Sequence, residues 1–316
     1  MDKMRAVLYK KYGPPEVLEI GEAEKPFPKE NEVLIKVYAT SVTNSDIFIR
    51  GSKLPFPTIL FFRMMIGIIR PRKPIIGEVL SGKIERVGNG IKRFKVGDNV
   101  FGLTGFSLGG YAQYKCMKEV DSTQGCLSIM PKNIDFNKAT SAAYGGLLAF
   151  QFMEKVNIKS KSKVLIYGAS GTTGTIAVQY AKYLGAEVTA VCSSTNIEFV
   201  KSLGADKALD YTKTECAKEL EEYDFVFDAV GKAKTSELKR LGMKALTHMG
   251  KIASIDDSPL LLKSDRLDRI TKLVESGKII PVTDRVYSLE QIVEAHKYVE
   301  TGHKRGNVAV TVNSDL

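Results

Sequence analysis

KVLIYGASGTTGTIAVQYAKYLGAEVTAVCSS, residues 163 to 194, decides the architecture of this chain. KVLIY and EVTAVC are short apolar runs, rich in β-branched residues and bounded by turn residues, as buried strands are. Between them GTIAVQYAKYLG keeps its apolar residues at helical spacing and stops at a glycine. Strand, helix, strand in that order implies a parallel pair joined by a right-handed crossover. Gly168, Gly171 and Gly174 fall at the junction of the first strand and the helix. Glycines there permit the tight turn, the approach of a pyrophosphate to the backbone, and close packing of helix on strand. The helix start adds N–H groups and the positive end of the helix dipole. Gly168, Ala169, Ser170, Gly171, Thr172, Thr173 and Gly174 therefore read as a cradle for a dinucleotide.

The end of the second strand selects the dinucleotide. An NAD site usually places Asp or Glu there, bonded to the ribose 2′-hydroxyl. This chain has Cys192, Ser193 and Ser194 instead. Ser193 and Ser194 can donate to a 2′-phosphate, no carboxylate follows the strand to repel one, and Lys201 and Lys213 lie downstream. The expected cofactor is NADPH.

Working outward, DFVFDAVG (224–231) and GKIASI (250–255) continue the strand series, and NIEFVKSLG (196–204) adds a helix. A doubly wound α/β sheet is expected. Residues 1 to 130 read differently. NEVLIKVYAT and GKIERVG alternate and VGDNVFGL adds a short strand, so that region is β-rich. In the tail, SDRLDRITKLVESGK is a helix ended by Gly277, PVTDRVY is extended, and GNVAVTV is a strand. SLEQIVEAHKYVETG is a helix whose Ser288 and Gln291 fit a capping box.

Composition bounds the function. The net charge is +10, and nine basic residues from Arg63 to Lys95 face only Glu78 and Glu85 in that span. Such a field attracts anions, a phosphorylated cofactor or nucleic acid, but no nucleic-acid-binding module is visible. The four cysteines, at 116, 126, 192 and 216, form no CxxC pair, which argues against a disulfide framework and a clustered zinc site. The N-terminus lacks the apolar core and cleavage site of a signal peptide, so a cytoplasmic protein is expected. LPFPTILFFRMMIGII, 54–69, carries two prolines and Arg63 and is too short to span a bilayer. It reads as a buried segment, or as a lid touching a lipophilic substrate.

KYGPPEVL, SVTNSD, IIGEVLSG, RVGNGIKRFKVGDNVFG, GGYAQY, the glycine motif, VKSLGADKALDYT, FDAVG and GHKRGNVAV together resemble the zinc-independent medium-chain dehydrogenase/reductases, the quinone oxidoreductase and zeta-crystallin group, over nearly the whole chain. The resemblance implies a GroES-like β-barrel domain at 1–130 and a Rossmann doubly wound parallel sheet domain at 131–265. It implies a segment at 266–316 that returns to the first domain, with the active site in the cleft. In zinc-dependent relatives a Cys, a His and usually a second Cys hold the metal. Thr43, Glu78 and Gly145-Gly146 stand at those places here, so no catalytic metal is expected. The resemblance also implies cofactor contacts at Tyr211, Val230, Gly231, Ile255 and Asn307. Leu148 stands where relatives commonly carry Thr. After GKIASIDD only SPLLLK precedes the next helix, too few residues for another parallel crossover, so the strand that pairs across the usual homodimer is lost or altered.

Without a Lewis acid to stabilise an alkoxide, hydride transfer favours acceptors that delocalise their own charge. The expected reaction is NADPH-dependent reduction of a quinone, or of the C=C bond of an α,β-unsaturated carbonyl, in a small lipophilic substrate. Thr43 and Ser45 are the expected donors to the developing oxyanion, with Asp46 as an orienting or structural neighbour and Tyr111, Tyr114 and Tyr144 in core or cleft. Two other readings remain open: a metal-free carbonyl or alcohol oxidoreductase with Ser45 as proton relay, and a non-catalytic NADPH-binding protein that binds RNA.

Overall fold

A computed structural model describes residues 2–51, 63–64, 66–232 and 234–314. Most of the apolar run at 54–69, with its lid reading, lies outside the described residues. The chain divides into two compact units. One comprises 1–143, 262–268 and 283–316, and the other 144–261 and 269–282.

The first unit is built on long-range strand pairing. β1 (Lys3–Tyr9) and β2 (Leu18–Glu24) form an antiparallel pair. β3 (Glu32–Ser41), β4 (Val79–Val87), β5 (Asn99–Leu103) and β7 (Cys126–Ile129) run through a seven-stranded sheet that β13 (Thr283–Ser288) and β14 (Asn307–Thr311) extend, in the order β13-β14-β3-β4-β5-β7. β3 is its axis. β4 covers one edge, while β6 (Tyr114–Lys118) and β14 share the other, β6 along the first half of β3 and β14 along the second. Alternation explains the strand: Val33, Ile35 and Val37 enter one cluster with Leu80, Ile84, Val100 and Leu127. Each such side chain contributes about 1.5–3 kcal/mol by burial. A second cluster joins Val7 and Tyr9 of β1 to Leu289, Ile292, Ala295 and Val299 of the C-terminal helical segment. The expected capping box at Ser288 and Gln291 is present, opening a 3₁₀ turn that leads into the helix Ile292–Glu300.

The second unit is a parallel sheet. β8 (Lys163–Tyr167), β9 (Glu187–Cys192), β10 (Lys207–Asp210), β11 (Tyr223–Asp228) and β12 (Leu246–Ser254) lie in the order β10-β9-β8-β11-β12. All four neighbouring pairs are parallel. The order reverses between β8 and β11, and ligands of such sheets bind beyond the strand C-termini at that point. β10 was not among the strands read from periodicity, because four residues are too few to show one. β12 is an edge strand with Met249 and Ile252 exposed. Residues 255–263 lead directly to the helix Ser264–Glu275, and the sheet ends at five strands.

Candidate active site

The β8 turn carries the geometry that a pyrophosphate needs. Gly168 has φ +80°, and its N–H and that of Ala169 both donate to Val191 O at 3.0 Å. A Cβ on Gly174 would lie 2.1 Å from Gly168 O, so the helix Thr172–Tyr183 packs on the turn only with glycine there. Gly171 is the N-cap, no side chain caps this helix end, and a Cβ on Gly171 would meet only Gly168 O, at 3.4 Å. The approach to the first-turn N–H groups is therefore open to an anion, as a dinucleotide requires.

The other residues of the second unit expected around a dinucleotide gather at the same edge. Asn196 Nδ2 donates to Ser193 Oγ at 3.1 Å and to Ser170 Oγ at 3.3 Å, tying the loop after β9 to the glycine turn. Ser194 Oγ donates to Asp210 Oδ2. Asp210, the last residue of β10, was missed together with that strand. Its Oδ1 accepts from Thr212 N and Thr212 Oγ1 at 2.9 and 2.8 Å, so the carboxylate is used within the chain. Tyr211 N donates to Cys192 O at 3.1 Å, and its ring lies 6.1 Å from that of Tyr167. Val230 and Gly231 are held by Asp228, whose Oδ1 accepts both their N–H groups. Its Oδ2 pairs with Lys239 Nζ at 2.8 Å, both groups buried, and Ile255 N donates to Asp228 O. Asn307 belongs to the first unit, is 1% exposed, and its Nδ2 donates to Thr140 Oγ1 at 3.0 Å.

In the first unit a cavity of about 730 Å³ is lined by Tyr9, Phe48, Ile49, Ile66, Phe106 and Leu108, with Ser45, Glu78, Thr123, Gln124, Arg72 and Lys73 as its polar wall. Lys73 Nζ donates to Phe106 O and Ser107 O at 2.8 and 3.1 Å, fixing the turn beside it. Leu108 is held at φ +50°, ψ −165° with its side chain buried, a strained conformation for a non-glycine residue.

Thr43 and Ser45 have different surroundings. Thr43 and Asp46 form a reciprocal pair at the start of the helix Asn44–Gly51: Asp46 N donates to Thr43 Oγ1 at 3.1 Å, and Asp46 Oδ2 accepts from Thr43 N at 2.9 Å. The sole hydroxyl proton of Thr43 also goes to Asp46 Oδ2, at 2.7 Å, and Thr43 is 3% exposed. That is a capping box, legible in T-x-x-D. Ser45, two positions on, lines the cavity and bonds the Glu78 carboxyl.

Glu78 is the functional candidate that residue spacing did not reveal. Gly77, at φ +106°, brings it in: a Cβ there would lie 2.5 Å from the Tyr111 ring. Glu78 N donates to Asp46 Oδ1 at 3.2 Å. Burial, and then the Asp46 charge, push the Glu78 carboxyl up to about 8, against the pull of its Ser45 bond. Asp46 is raised to about 6 by burial, opposed by its hydrogen bonds from Thr43, Glu78 and Tyr111. Behind Asp46 the network continues inward. Tyr111 OH lies 3.1 Å from His296 Nε2, and Arg50 Nη1 lies 3.1 Å from His296 Nδ1. Burial, with Arg50 adding to it, lowers His296 to about 3, so it is neutral. Arg50 donates to Nδ1, which puts the imidazole proton on Nε2, facing Tyr111. Arg50 in turn pairs with Glu300.

Tyr111 is fully buried in this network, Tyr114 forms the start of β6 with Lys25 Nζ 3.7 Å from its ring centroid, and Tyr144 lies in the second unit. Among the described residues, no cluster of three or more His, Cys, Asp or Glu could hold a metal ion.

Residues 29–126 match the alcohol dehydrogenase GroES-like domain family, and residues 203–310 match the zinc-binding dehydrogenase family. The chain is 30% identical over 322 residues to the 2-methylene-furan-3-one reductase of Solanum lycopersicum, covering 98% of this chain and 79% of that protein. It is 29% identical over 322 residues to the chloroplastic NADPH-dependent alkenal/one oxidoreductase of Arabidopsis thaliana, with the same coverage. The solved quinone oxidoreductase of Coxiella burnetii superposes with a TM-score of 0.86 at 26% identity, over 99% of this chain and all of that one.

Proposed function

Because the chain belongs to the medium-chain dehydrogenase/reductase superfamily, alongside its quinone and alkenal oxidoreductases, we propose that it reduces quinones, or the C=C bond of α,β-unsaturated carbonyls, with NADPH and without a metal. The observation that carries this reading is the make-up of the cavity. Its wall is largely apolar, and among the described residues beside Ser45 it carries one carboxyl, two cations at Arg72 and Lys73, and the neutral phenol of Tyr9.

The residues present do not suit zinc. Both oxygens of Asp46 accept bonds from the chain, the Thr43 hydroxyl is bonded to Asp46, and Glu78 is left as the carboxylate at the cavity. Among the described residues, one carboxylate and a serine hydroxyl fall short of the three or four Cys, His or carboxylate ligands of protein zinc sites.

The glycine turn does suit a dinucleotide. Gly168 to Gly174 would hold the pyrophosphate, Ser193 and Tyr211 the adenosine end, and Val230, Gly231 and Ile255 the nicotinamide end. Ser193 favours NADPH, as does the engagement of both Asp210 oxygens within the chain. When bound, the reduced cofactor supplies the hydride. The chain's own work is to orient the acceptor against the apolar wall, exclude water from it, and set the Ser45 hydroxyl at the developing oxyanion. Thr43 acts through the helix that presents Ser45. A conjugated acceptor suits this sparse donor set because it spreads the negative charge itself.

The test is oxidation of NADPH and NADH by the purified protein across quinones, enones, saturated aldehydes and alcohols, with and without chelator. Turnover of quinones or enones with NADPH, unchanged by chelator, is expected. Turnover of saturated aldehydes and alcohols alone, or loss of activity with chelator, would overturn the reading.

A further inference from the structure

We propose that Glu78 is the general acid of this site and delivers a proton to the reduced acceptor through the Ser45 hydroxyl. The proposal deepens the reading of the site as one for conjugated carbonyls and rests on it.

Two carboxyls meet here in unlike settings. Asp46 receives Thr43 N and Thr43 Oγ1 on one oxygen, Glu78 N on the other, and a further bond from Tyr111. The order of the buried chain is set from its far end: Arg50 donates to His296, His296 Nε2–H faces Tyr111, and the Tyr111 hydroxyl, which lies 3.4 Å from Ser41 O, also bonds Asp46. A carboxyl surrounded by donors is stabilised as the anion. Glu78 has the reverse setting. Its backbone is held against Asp46, so its half-buried side chain meets a fixed negative charge at the cavity wall, where it bonds the Ser45 hydroxyl. A carboxyl so placed keeps its proton near neutral pH. Paired carboxyls pushed apart in this way divide into an orienting anion and an acid.

Among the described residues, the other ionisable groups at this cavity are two tyrosines, an arginine and a lysine. Tyr9 lines the same cavity from β1, and Tyr111 lies behind Glu78; both phenols are raised by burial and stay neutral. Arg72 and Lys73 share the cavity wall, but what acts on Glu78 is burial, Asp46 and Ser45.

The step balances. A hydride brings two electrons to the acceptor's β-carbon, forming a C–H bond as the C=C π bond breaks, and the nicotinamide is oxidised. The electron pair moves to the carbonyl oxygen as an enolate. That oxygen takes the Ser45 proton while Ser45 takes the proton of Glu78. The enol then tautomerises in solvent, and the Glu78 carboxylate recovers a proton from water. A quinone acceptor ends as a hydroquinone anion that water can protonate after release, so it needs this acid less.

The test is Glu78→Gln, which keeps the shape and removes the acidic proton, assayed on one enone and one quinone from pH 6 to 10. A positioned general acid contributes about 10²–10⁴-fold. On the enone, kcat of the unaltered protein should fall as pH rises through about 8. The variant should lose about 100-fold at pH 7 and lose that alkaline limb, while its quinone rate stays within a few-fold. The retained quinone rate shows that the variant is folded. Wild-type rates and pH profile in the variant would overturn the proposal, as would equal loss on both acceptors, which marks a structural role. If Glu78→Gln does not fold, Ser45→Ala decides on the same criteria, since it cuts the relay and leaves the carboxyl pair in place. If the unaltered protein reduces neither acceptor, the reading of the site itself fails, and that outcome is distinct from the others.

Discussion

At the scale of single residues, a two-position step separates a hydroxyl that builds a helix from one that faces a cavity. Thr43 and Ser45 sit in one tetrapeptide, T-N-S-D, and from sequence they look alike as donors. Burial and bonding divide them. Thr43→Val should therefore cost about 0.5–2 kcal/mol of stability, the usual price of a lost N-cap, and change kcat on an enone little. Ser45→Ala should do the opposite, lowering enone kcat at least tenfold with little change in melting temperature. Denaturant melts and steady-state kinetics on both variants check the division; equal kinetic loss in the two would return Thr43 to the reacting end. The capping box was legible in T-x-x-D. The role of Glu78 was not, because it depends on Gly77 bringing the backbone against Tyr111 and on an anion 32 positions away in the chain. A missing histidine can be read from sequence; the setting of its replacement cannot.

At the scale of elements, the glycine turn was the most legible part of the fold, since strand, turn, helix and strand are contiguous and each carries its own pattern. β10 was hidden by its length, and with it Asp210 and its hold on Ser194. The buried pair of Lys239 and Asp228 was hidden for another reason: it joins the helix Glu237–Gly242 to the end of β11 across an irregular loop. Lys239 Nζ also donates to Gly231 O and Lys234 O, at 2.7 and 2.8 Å, so it clamps the loop after β11 from below. Lys239→Met would leave the Asp228 carboxylate buried without its counter-charge. A loss of about 3–5 kcal/mol is expected, together with weaker dinucleotide binding through release of Val230 and Gly231. Urea unfolding and fluorescence titration with NADPH measure the two effects. Unchanged stability and affinity would show that the pair holds nothing that matters.

At the scale of the whole molecule, the sequence indicated two architectures and a returning tail, but not how much of the first unit the tail makes. β13, β14 and the helix Ile292–Glu300 belong wholly to that unit, and they carry Arg50's partners, His296 and Glu300. Leu289, Ile292, Ala295, Val299, Val308 and Val310 all enter the core cluster of Tyr9 and Tyr111. At about 1.5–3 kcal/mol for each large apolar side chain, that contribution matches the entire stability of an ordinary domain, about 5–15 kcal/mol. Ending the chain after Val282 should thus unfold the first unit and abolish acceptor reduction. Calorimetry should show one transition lost; a truncated protein that keeps both transitions would contradict the burial argument.

The pairing of Ala309 with Ser41 spans about 270 residues of chain. On a ribosome adding roughly 5–20 residues per second, β3 emerges at least about ten seconds before the strand that covers the second half of its edge. For that interval the nascent chain presents unpaired backbone beside a finished hydrophobic strand, the kind of surface that recruits other strands. The protein's yield in a cell should then depend on what shields residues 39–41 during synthesis, as much as on how stable the completed sheet is.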